Sequence, residues 1–258
     1  MAPVRARLAT MQGDPEIGSE RISVYHADGT VEEVALHDYA RVYALPGVYE
    51  QIVQEDLGCR SPAQVAQMLS GALDALGRER SATRVIDVAA GNGVSGEALR
   101  AVGLDVVLGT DIVPEARAAT LRDRPDVYGE YLTLDLTALS SEQAEHVRAL
   151  GANALTCVAP VGAAPGAVPA EAIAAACRLL RGEPLLATLH DPRHGTPDPL
   201  SERFFAERLG AEATLLDHER YLHRFLVTGA PYELEASIWK LQLGGTPPND
   251  PPSTALGG

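Results

Sequence analysis

The chain has 258 residues and a formal net charge of −14, from 21 lysines and arginines against 35 aspartates and glutamates. Its 46% hydrophobic content is too high for a disordered chain, and three cysteines are too few for a disulfide-built scaffold. A protein that neutralises phosphates needs a dense basic surface, so the acidic balance argues against nucleic acid and anionic membrane as partners.

The apolar segments are short. No run of roughly 18 apolar residues occurs, which predicts that no segment spans a membrane. The N-terminus carries two arginines with no apolar stretch behind them, unlike a secretory signal peptide. An odd number of cysteines without such a signal fits reduced thiols, so we expect a cytoplasmic protein.

The first part of the chain has no strand–helix alternation. Residues 1–20 are polar and interrupted by Gly and Pro, which predicts a flexible N-terminus. Apolar residues then flank Asp28-Gly29, a dipeptide favoured in tight hairpin turns. A short hairpin is therefore expected between Arg21 and Leu36.

Helical spacing of apolar residues follows this hairpin. It predicts two short helices between Tyr39 and Leu57, broken at Pro46-Gly47, and a third helix with Ser61 as its N-cap. We expect residues 21–80 to form an N-terminal hairpin and helical lid.

Residues 81–243 form the predicted α/β domain, in which strand patterns alternate with helix patterns. The predicted strands are Val85–Val88, Asp105–Leu108, Tyr131–Leu134, Ala154–Val158 and Leu185–His190, each followed by a helix. Such alternation predicts a doubly wound, mainly parallel sheet with helices on both faces.

The alternation ends after a helix at 200–209. Residues 213–216, 221–228 and 235–242 have strand patterns, and no helix separates the last two, which predicts a terminal antiparallel hairpin. The Gly- and Pro-rich residues 244–258 predict a disordered tail.

The first strand of this domain leads into a glycine-rich turn. Gly91, Gly93 and Gly96 stand where a strand gives way to a helix, and glycine lets the backbone approach a ligand closely. Asp111 follows the second strand, where a carboxylate can accept hydrogen bonds from both hydroxyls of a ribose. These features fit a dinucleotide as well as another adenosine-containing cofactor.

Three features separate the two cofactors. Asp87 lies inside the first strand, where dinucleotide sites prefer an apolar residue, and a carboxylate there suits a ligand with a cationic amino-acid end. Asp135 follows the third strand and is placed to accept from an adenine amino group. The α/β unit ends near Gln242, which leaves no room for the catalytic domain that a dehydrogenase usually has.

These motifs resemble those of the class I S-adenosylmethionine-dependent methyltransferases of the small-molecule type, across roughly Tyr39 to Gln242. The matching motifs are Asp87 to Gly93, Gly109 to Ile112 and Leu134 to Leu136, and Ala89 stands where many members have glycine. The resemblance implies a Rossmann-like methyltransferase fold, with the glycine turn facing the methionine part of the cofactor, Asp111 the ribose, and Asp135 with Leu136 the adenine. The predicted cofactor-binding residues are Asp87, Ala89, Gly91, Asn92, Gly93, Asp111, Ile112, Asp135, Leu136 and Val158.

The site of the methyl acceptor has fewer signals. Tyr39, Tyr43 and Tyr49 of the lid are either core aromatics or the wall of an acceptor pocket, and we predict that they bind substrate. His190 and His194 follow the last parallel strand, where a general base for a hydroxyl would lie, although polar loop residues are the alternative. No metal ligands occur at a diagnostic spacing, so no metal is expected.

The sequence therefore predicts an enzyme that transfers a methyl group from S-adenosylmethionine to an oxygen, nitrogen or carbon of a small molecule. The lid tyrosines and the acidic surface favour a neutral or cationic acceptor. One alternative is a protein of the same fold that binds the cofactor without transferring methyl, and another is an NAD-dependent oxidoreductase. The oligomeric state has no signal in the sequence.

Overall fold

The computed structural model describes residues 5–9, 18–162, 166–193 and 197–243. The chain begins with a three-stranded antiparallel sheet in the order β1-β2-β3. Its strands are β1 (Arg5–Leu8), β2 (Arg21–Tyr25) and β3 (Val31–Ala35). The expected hairpin is present as β2 and β3, and the turn between them lies at Asp28-Gly29 as predicted.

Three helical segments follow this sheet. They are α1 (Tyr39–Ala44), a π-helix (Glu50–Asp56) and α2 (Ser61–Ala75). The Asp38 side chain caps α1 by accepting from the backbone N–H of Arg41 at 3.2 Å. Helix α2 has Arg60 rather than Ser61 as its N-cap. The Ser61 hydroxyl therefore bonds elsewhere, and its partners belong to the candidate site.

The rest of the chain forms a seven-stranded sheet with helices on both faces. Its elements in chain order are β4 (Arg84–Val88), α3 (Val94–Ala101), β5 (Asp105–Asp111), α4 (Pro114–Asp123), β6 (Glu130–Thr133), α5 (Ser141–Ala149), β7 (Ala154–Pro160), α6 (Ala170–Cys177), β8 (Leu185–His190), α7 (Glu202–Leu209), β9 (Glu212–Phe225) and β10 (Pro231–Gln242).

The strand order of this sheet is β6-β5-β4-β7-β8-β10-β9. Strands β4 to β8 pair in parallel, whereas β10 is inserted antiparallel between β8 and β9. The chain moves outward from β4 in one direction and from β7 in the other, so a crevice opens between these two strands at their carboxyl ends. The predicted doubly wound sheet with a terminal antiparallel hairpin is confirmed.

Three apolar clusters hold these layers together. Two of them involve residues from the large sheet and the helices packed on it, with Leu69 and Leu99 in one and Ile173 and Phe205 in the other. The third, which includes Ile22 and Ile52, joins the N-terminal sheet to the π-helix. The N-terminal sheet and the π-helix therefore share a core of their own, whereas α2 belongs to the core of the large sheet through Leu69.

Two predictions about the ends of the chain need correction. Strand β1 lies within residues 1–20, which were expected to be flexible, because Arg5–Leu8 pairs with β2 over four residues. The two strands predicted at 213–216 and 221–228 are one strand, β9, because the polar residues between them continue the pairing with β10. The predicted tail at 244–258 lies outside the described residues.

In the part of the chain that the structure describes, no helix is long and apolar enough to cross a membrane.

Candidate active site

A cavity of about 1350 Å³ opens at the carboxyl edge of the large sheet, beneath the lid helices. It is large enough for a cofactor and a second small molecule together, because pockets for single drug-sized ligands have volumes of about 300–1000 Å³. Ten of the predicted site residues line it: Tyr39, Tyr43, Tyr49, Ala89, Asp111, Ile112, Asp135, Leu136, Val158 and His190.

The glycine-rich turn forms the floor beside this cavity. Gly91 and Gly93 have φ angles of +55° and +90°, a backbone conformation that side chains with a Cβ rarely adopt. A Cβ on Gly91 would also overlap the Tyr43 hydroxyl, which lies directly over the turn. The Gly91 carbonyl accepts from the hydroxyls of Thr120 and Tyr131, each at 2.8 Å. The turn is therefore fixed from below and covered by the lid.

Asp87 lies beneath the turn rather than on the cavity wall. Its carboxylate is fully buried and accepts hydrogen bonds from the hydroxyls of Ser95, Tyr128 (2.7 Å) and Thr156 (2.7 Å). Burial raises the pKa of Asp87, and the three hydroxyls oppose that rise without a cation beside them. Asp87 thus supports the turn and adds negative potential to it, whereas direct contact with a ligand stays a prediction.

Asp111 faces the cavity at the end of β5. Its Oδ2 accepts from the backbone N–H of Gly91 and its Oδ1 from that of Val113, both at 3.0 Å. Each carboxylate oxygen has a second lone pair, so both can accept from a ligand as well. Burial raises the pKa of Asp111, since no Arg or Lys of the described residues compensates it.

The residues predicted to face an adenine lie at one side of the cavity. Asp135 is exposed, and its Oδ1 accepts from the Thr137 backbone N–H at 2.9 Å and from its hydroxyl at 2.6 Å. Asp135 therefore caps a short turn, and its other oxygen remains open. Ile112 is 64% exposed on the cavity wall, an unusual position for a large apolar side chain unless a ligand covers it.

The lid tyrosines form a row over the cavity. The rings of Tyr39 and Tyr43 stack at 5.8 Å, and Tyr43 packs against Tyr49 at 5.2 Å between ring centroids. They are both core aromatics and cavity wall, so the two alternatives weighed from the sequence are compatible. Whether they contact a substrate stays a prediction.

An ionic cluster connects the lid to the glycine turn. Glu50 of the π-helix accepts from the Asn92 amide at 2.5 Å and from Arg124 at 2.7 Å. Arg124 also bonds to Glu97 and to the Asn92 carbonyl. Asn92 therefore faces the lid in this structure and not the cavity.

The opposite end of the cavity carries the arginines. Arg193 pairs with Asp191 after β8, and the Tyr232 hydroxyl donates to the same carboxylate at 3.0 Å. Burial alone would raise the pKa of Asp191, but its hydrogen bonds with Arg193 and Tyr232 outweigh burial and lower it. The Arg193 guanidinium also lies 4.3 Å from the Tyr232 ring centroid. His190, at the end of β8, lines this end of the cavity as well.

A buried ion pair lies behind this end. Glu20 is fully buried, and both of its oxygens accept from Arg224, whose side chain is 4% exposed. Glu20 also accepts from the Val227 backbone N–H at 3.0 Å. Burial favours protonation of Glu20, but the hydrogen bond and charge of Arg224 outweigh burial and hold its pKa below the usual value. Arg224 also lines the cavity.

His223 lines the cavity beside Arg224. Its Nδ1 lies 2.5 Å from the Ser61 hydroxyl, which lies 2.6 Å from the Tyr221 hydroxyl. Burial lowers the pKa of His223 to about 3, with a further contribution from Arg224, so the imidazole is neutral at neutral pH.

His194, the second predicted base, lies outside the described residues. Among the residues that are described, no three His, Cys, Asp or Glu side chains gather into a group that could hold a metal ion.

The sequence matches no protein-family model and no curated protein. Solved structures with the same fold do match. A S-adenosylmethionine-dependent methyltransferase from Anabaena variabilis is 14% identical with a TM-score of 0.51, over 80% of this chain and 95% of that one. A proposed RNA methyltransferase from Pyrococcus horikoshii is 13% identical with a TM-score of 0.51, over 72% of this chain and 84% of that one.

The chain has the fold of the class I S-adenosylmethionine-dependent methyltransferases. At these identities the likeness establishes the fold and not the substrate. This methyltransferase fold differs from the usual dinucleotide-binding order of six parallel strands by its reversed strand β10.

The chain's own residues fit the cofactor of this fold. Gly91 and Gly93 have positive φ angles, which lets the backbone of the turn come close to a ligand beside it, although the Tyr43 hydroxyl occupies the space directly over Gly91. The Thr110 hydroxyl is buried at the cavity wall with no hydrogen-bond partner among the described residues, so a ligand can satisfy it. Asp111 on the cavity wall and Asp87 beneath the turn are two carboxylates without a cation beside them, which favours a positively charged ligand.

Sequence reasoning missed several residues that shape the site. They are Glu20, His37, Thr110, Tyr128, Tyr131, Arg193, His223, Arg224 and Tyr232. Tyr128 had an indirect signal: a Cβ on Gly96 or Gly109 would overlap its ring, so two glycines of the motifs make room for a tyrosine and not for a ligand. Arg193 and Arg224 had none, because only the fold brings them to the cavity wall.

Proposed function

We propose that this protein is a S-adenosylmethionine-dependent methyltransferase that acts on a small molecule. One observation carries the proposal: Asp87 and Asp111 place two carboxylates without a compensating cation around a glycine turn at the crevice of a methyltransferase fold. A sulfonium cofactor is a cation that bears an adenosine, and this arrangement favours both parts of it.

Each part of the cofactor has a candidate surface in the cavity. Asp111 would accept from the ribose hydroxyls, and Ile112, Asp135 and Leu136 would surround the adenine. The backbone of Ala89 and the glycine turn would face the methionine part, under the ring of Tyr43. When bound, the cofactor supplies a methyl group that its positive sulfur has already activated.

The chain's task is then to align an acceptor and to exclude water. The row of lid tyrosines closes the cavity over the turn, and the ionic cluster around Glu50 fixes the lid in place. We call the end of the cavity that carries Arg193 and Arg224 the acceptor end. His190 lines this end and remains our candidate for a general base if the acceptor is a hydroxyl.

Calorimetry with S-adenosylhomocysteine and NADH tests this proposal. We expect the first to bind and the second not to bind. Binding of NADH alone would overturn the proposal in favour of an oxidoreductase. Mass spectrometry of the natively purified protein is an independent measurement, because a tightly held adenosyl compound would accompany it. Binding of S-adenosylhomocysteine without transfer to any acceptor would favour a non-methylating role.

A further inference from the structure

A β-bulge lies at the acceptor end of the cavity. In the β9–β10 pairing, Tyr232 lies opposite Arg224 and Glu233 opposite Leu222, so His223 is an extra residue with no partner on β10. In a regular strand, neighbouring side chains point to opposite faces. Because of the bulge, His223 and Arg224 both line the cavity. The backbone N–H of Arg60 donates to the His223 carbonyl at 2.8 Å and holds the bulge in place.

The hydrogen bonds behind His223 bear on which of its nitrogens carries the proton. The Ser61 hydroxyl lies 2.6 Å from the Tyr221 hydroxyl and 2.5 Å from Nδ1 of His223. Either hydroxyl can donate in the first bond, and the direction of the second depends on the tautomer of His223. Both bonds form when Tyr221 donates to Ser61 and Ser61 donates to Nδ1, and we take this arrangement, which leaves the His223 proton on Nε2.

Arg224 offers a second hydrogen-bond donor beside the Nε2–H of His223. Its two terminal nitrogens donate to Glu20 and to the Phe225 carbonyl, whereas no described residue accepts from its Nε–H. His37 lines the same region, and its buried Nδ1 has no partner among the described residues. The rings of Tyr39, Tyr49 and Tyr232 form apolar walls around these groups.

We propose that this end of the cavity binds a planar aromatic molecule through an acidic oxygen, held as an oxyanion by Arg224 Nε–H and His223 Nε2–H. Its role as the methyl acceptor's site rests on the proposed function. A guanidinium and a neutral imidazole that both donate stabilise an oxygen anion, whereas a protonated amine would meet Arg224. This inference departs from the neutral or cationic acceptor expected from the sequence.

The charged and titratable groups that face His223 come from every neighbouring element. They are Cys59 and Ser61 at the start of α2, Tyr221 and Arg224 on β9, Tyr232 on β10, Asp191 and Arg193 after β8, and His37 before α1. Arg193 and Tyr232 already engage the Asp191 carboxylate. The other carboxylate at this end, Glu20, binds the two terminal nitrogens of Arg224 and not its Nε–H. Neither carboxylate therefore occupies the proposed donors.

Binding of 4-nitrophenol to the protein without cofactor tests the inference, because its phenolate has a distinct visible spectrum. We expect the pKa of the bound phenol to fall by at least about one unit, a tenfold increase in the ratio of phenolate to phenol. Calorimetry with benzoate tests whether the same groups bind a carboxylate. Aniline and anisole, which have the ring without the acidic oxygen, should bind at least tenfold more weakly.

Three variants identify the groups responsible. His223→Phe and the double variant Glu20→Gln with Arg224→Gln should each weaken binding of the anionic probe at least tenfold. Arg220→Gln, on the exposed part of the same hairpin, is the matched control and should change nothing. A circular-dichroism melt shows whether each variant is folded. The comparison of nitrophenol, benzoate, aniline and anisole uses the natural protein, so it does not depend on the folding of any variant.

The result decides the proposal either way. Binding of nitrophenolate or benzoate that depends on His223 and Arg224 supports it, and the stronger of the two identifies the acceptor as a phenol or an acid. Equal binding of aniline, an unchanged phenol pKa with no benzoate binding, or insensitivity to both variants overturns it. Binding of S-adenosylhomocysteine is measured separately. The oxyanion proposal can therefore be wrong while the proposed function is right, and the proposed function can be wrong while the oxyanion proposal is right.

Discussion

The two ends of the cavity hold their carboxylates in different ways. At the glycine turn, hydroxyl and backbone N–H donors satisfy Asp87 and Asp111, and burial raises the pKa of both. At the opposite end, arginines satisfy Glu20 and Asp191, whose pKa values are lowered.

This difference gives the cavity a gradient of potential. Uncompensated acids make the first end negative, and guanidiniums on the wall offset the acids at the second. A cation is therefore favoured at the turn, and an oxygen anion meets less repulsion near Arg224, where the acids are paired with arginines. These are the charges of a methyl donor and of an activated oxygen acceptor, so the electrostatics of one cavity agree with both proposals.

Removal of one partner of the buried ion pair should have the largest effect. Glu20→Ala leaves the Arg224 charge unpaired, and we expect the free energy of unfolding to fall by about 3–5 kcal/mol. Denaturant titration measures the loss. Glu207→Ala breaks an exposed pair with Arg203 and is the control, with an expected change of about 1 kcal/mol or less. A loss no larger than the control's would show that cations do not hold this end together.

Removal of the carboxylate under the turn is the corresponding test at the other end. Asp87→Ala leaves three buried hydroxyls without their acceptor, so we expect a loss of about 2–4 kcal/mol in the free energy of unfolding. Thr156→Val removes one donor only and should lose about 1 kcal/mol. If Asp87→Ala unfolds no more easily than Asp105→Ala, an exposed pair with Arg84, then Asp87 has no supporting role.

The ligand-facing carboxylate should affect affinity instead. Asp111→Ala should weaken binding of S-adenosylhomocysteine by about 1–3 kcal/mol, or roughly 5- to 150-fold, because two hydrogen bonds to a charged acceptor are lost. Calorimetry measures the change. Asp135→Ala should have a smaller effect, because Asp135 is exposed and partly engaged by Thr137. Unchanged affinity in Asp111→Ala would contradict its assignment to the ribose.

The neutral imidazole at the acceptor end makes stability depend on pH. The pKa of His223 is about 3 in the folded protein against 6.5 for the unperturbed side chain. Between these values the unfolded chain binds a proton that the folded chain does not, so the free energy of unfolding falls as pH falls, by at most about 1.4 kcal/mol per pH unit.

Replacement by glutamine isolates this contribution. His223→Gln should show a flatter loss of stability below pH 6.5, in denaturant titrations at several pH values. The absolute stability of the variant also reflects its altered bond to Ser61, and therefore the slopes are compared. Parallel curves for the two proteins would show that His223 titrates normally in the folded state.

The two ends also differ in how far the sequence predicts them. Asp87 and Asp111 lie at or near the carboxyl ends of the neighbouring strands β4 and β5, and Gly91 follows β4. Parallel strands bring their carboxyl ends to one edge. The strand alternation was therefore sufficient to place them near each other. Their partners were not predictable, since Tyr128 and Thr156 reach Asp87 only through side-chain packing across strands.

The acceptor end depends on contacts between distant parts of the chain. Glu20 and Arg224 are 204 residues apart, and His223 and Ser61 are 162 apart. A regular strand at 221–228 would point neighbouring side chains to opposite faces, whereas one inserted residue brings both His223 and Arg224 to the cavity. Neither the long-range pair nor the bulge has a local sequence signal.

The smallest expected effect concerns the residue where this sequence departs from the glycine of many methyltransferases. Ala89 has a φ angle of +53° and is the one non-glycine residue of the described chain with positive φ. This conformation costs an L-residue roughly 1–2 kcal/mol, and the greater freedom of glycine in the unfolded chain offsets about 0.5–1 kcal/mol of that. Ala89→Gly should therefore raise the free energy of unfolding by about 0.5–1 kcal/mol, as measured by denaturant titration.

Ala90→Gly is the matched control. Ala90 has no such strain, so this variant should lower the free energy of unfolding by about 1 kcal/mol. If both variants lose stability equally, the turn at the cofactor end is not strained, and its shape is then set by the hydroxyls that hold Gly91 and not by the backbone conformation of Ala89.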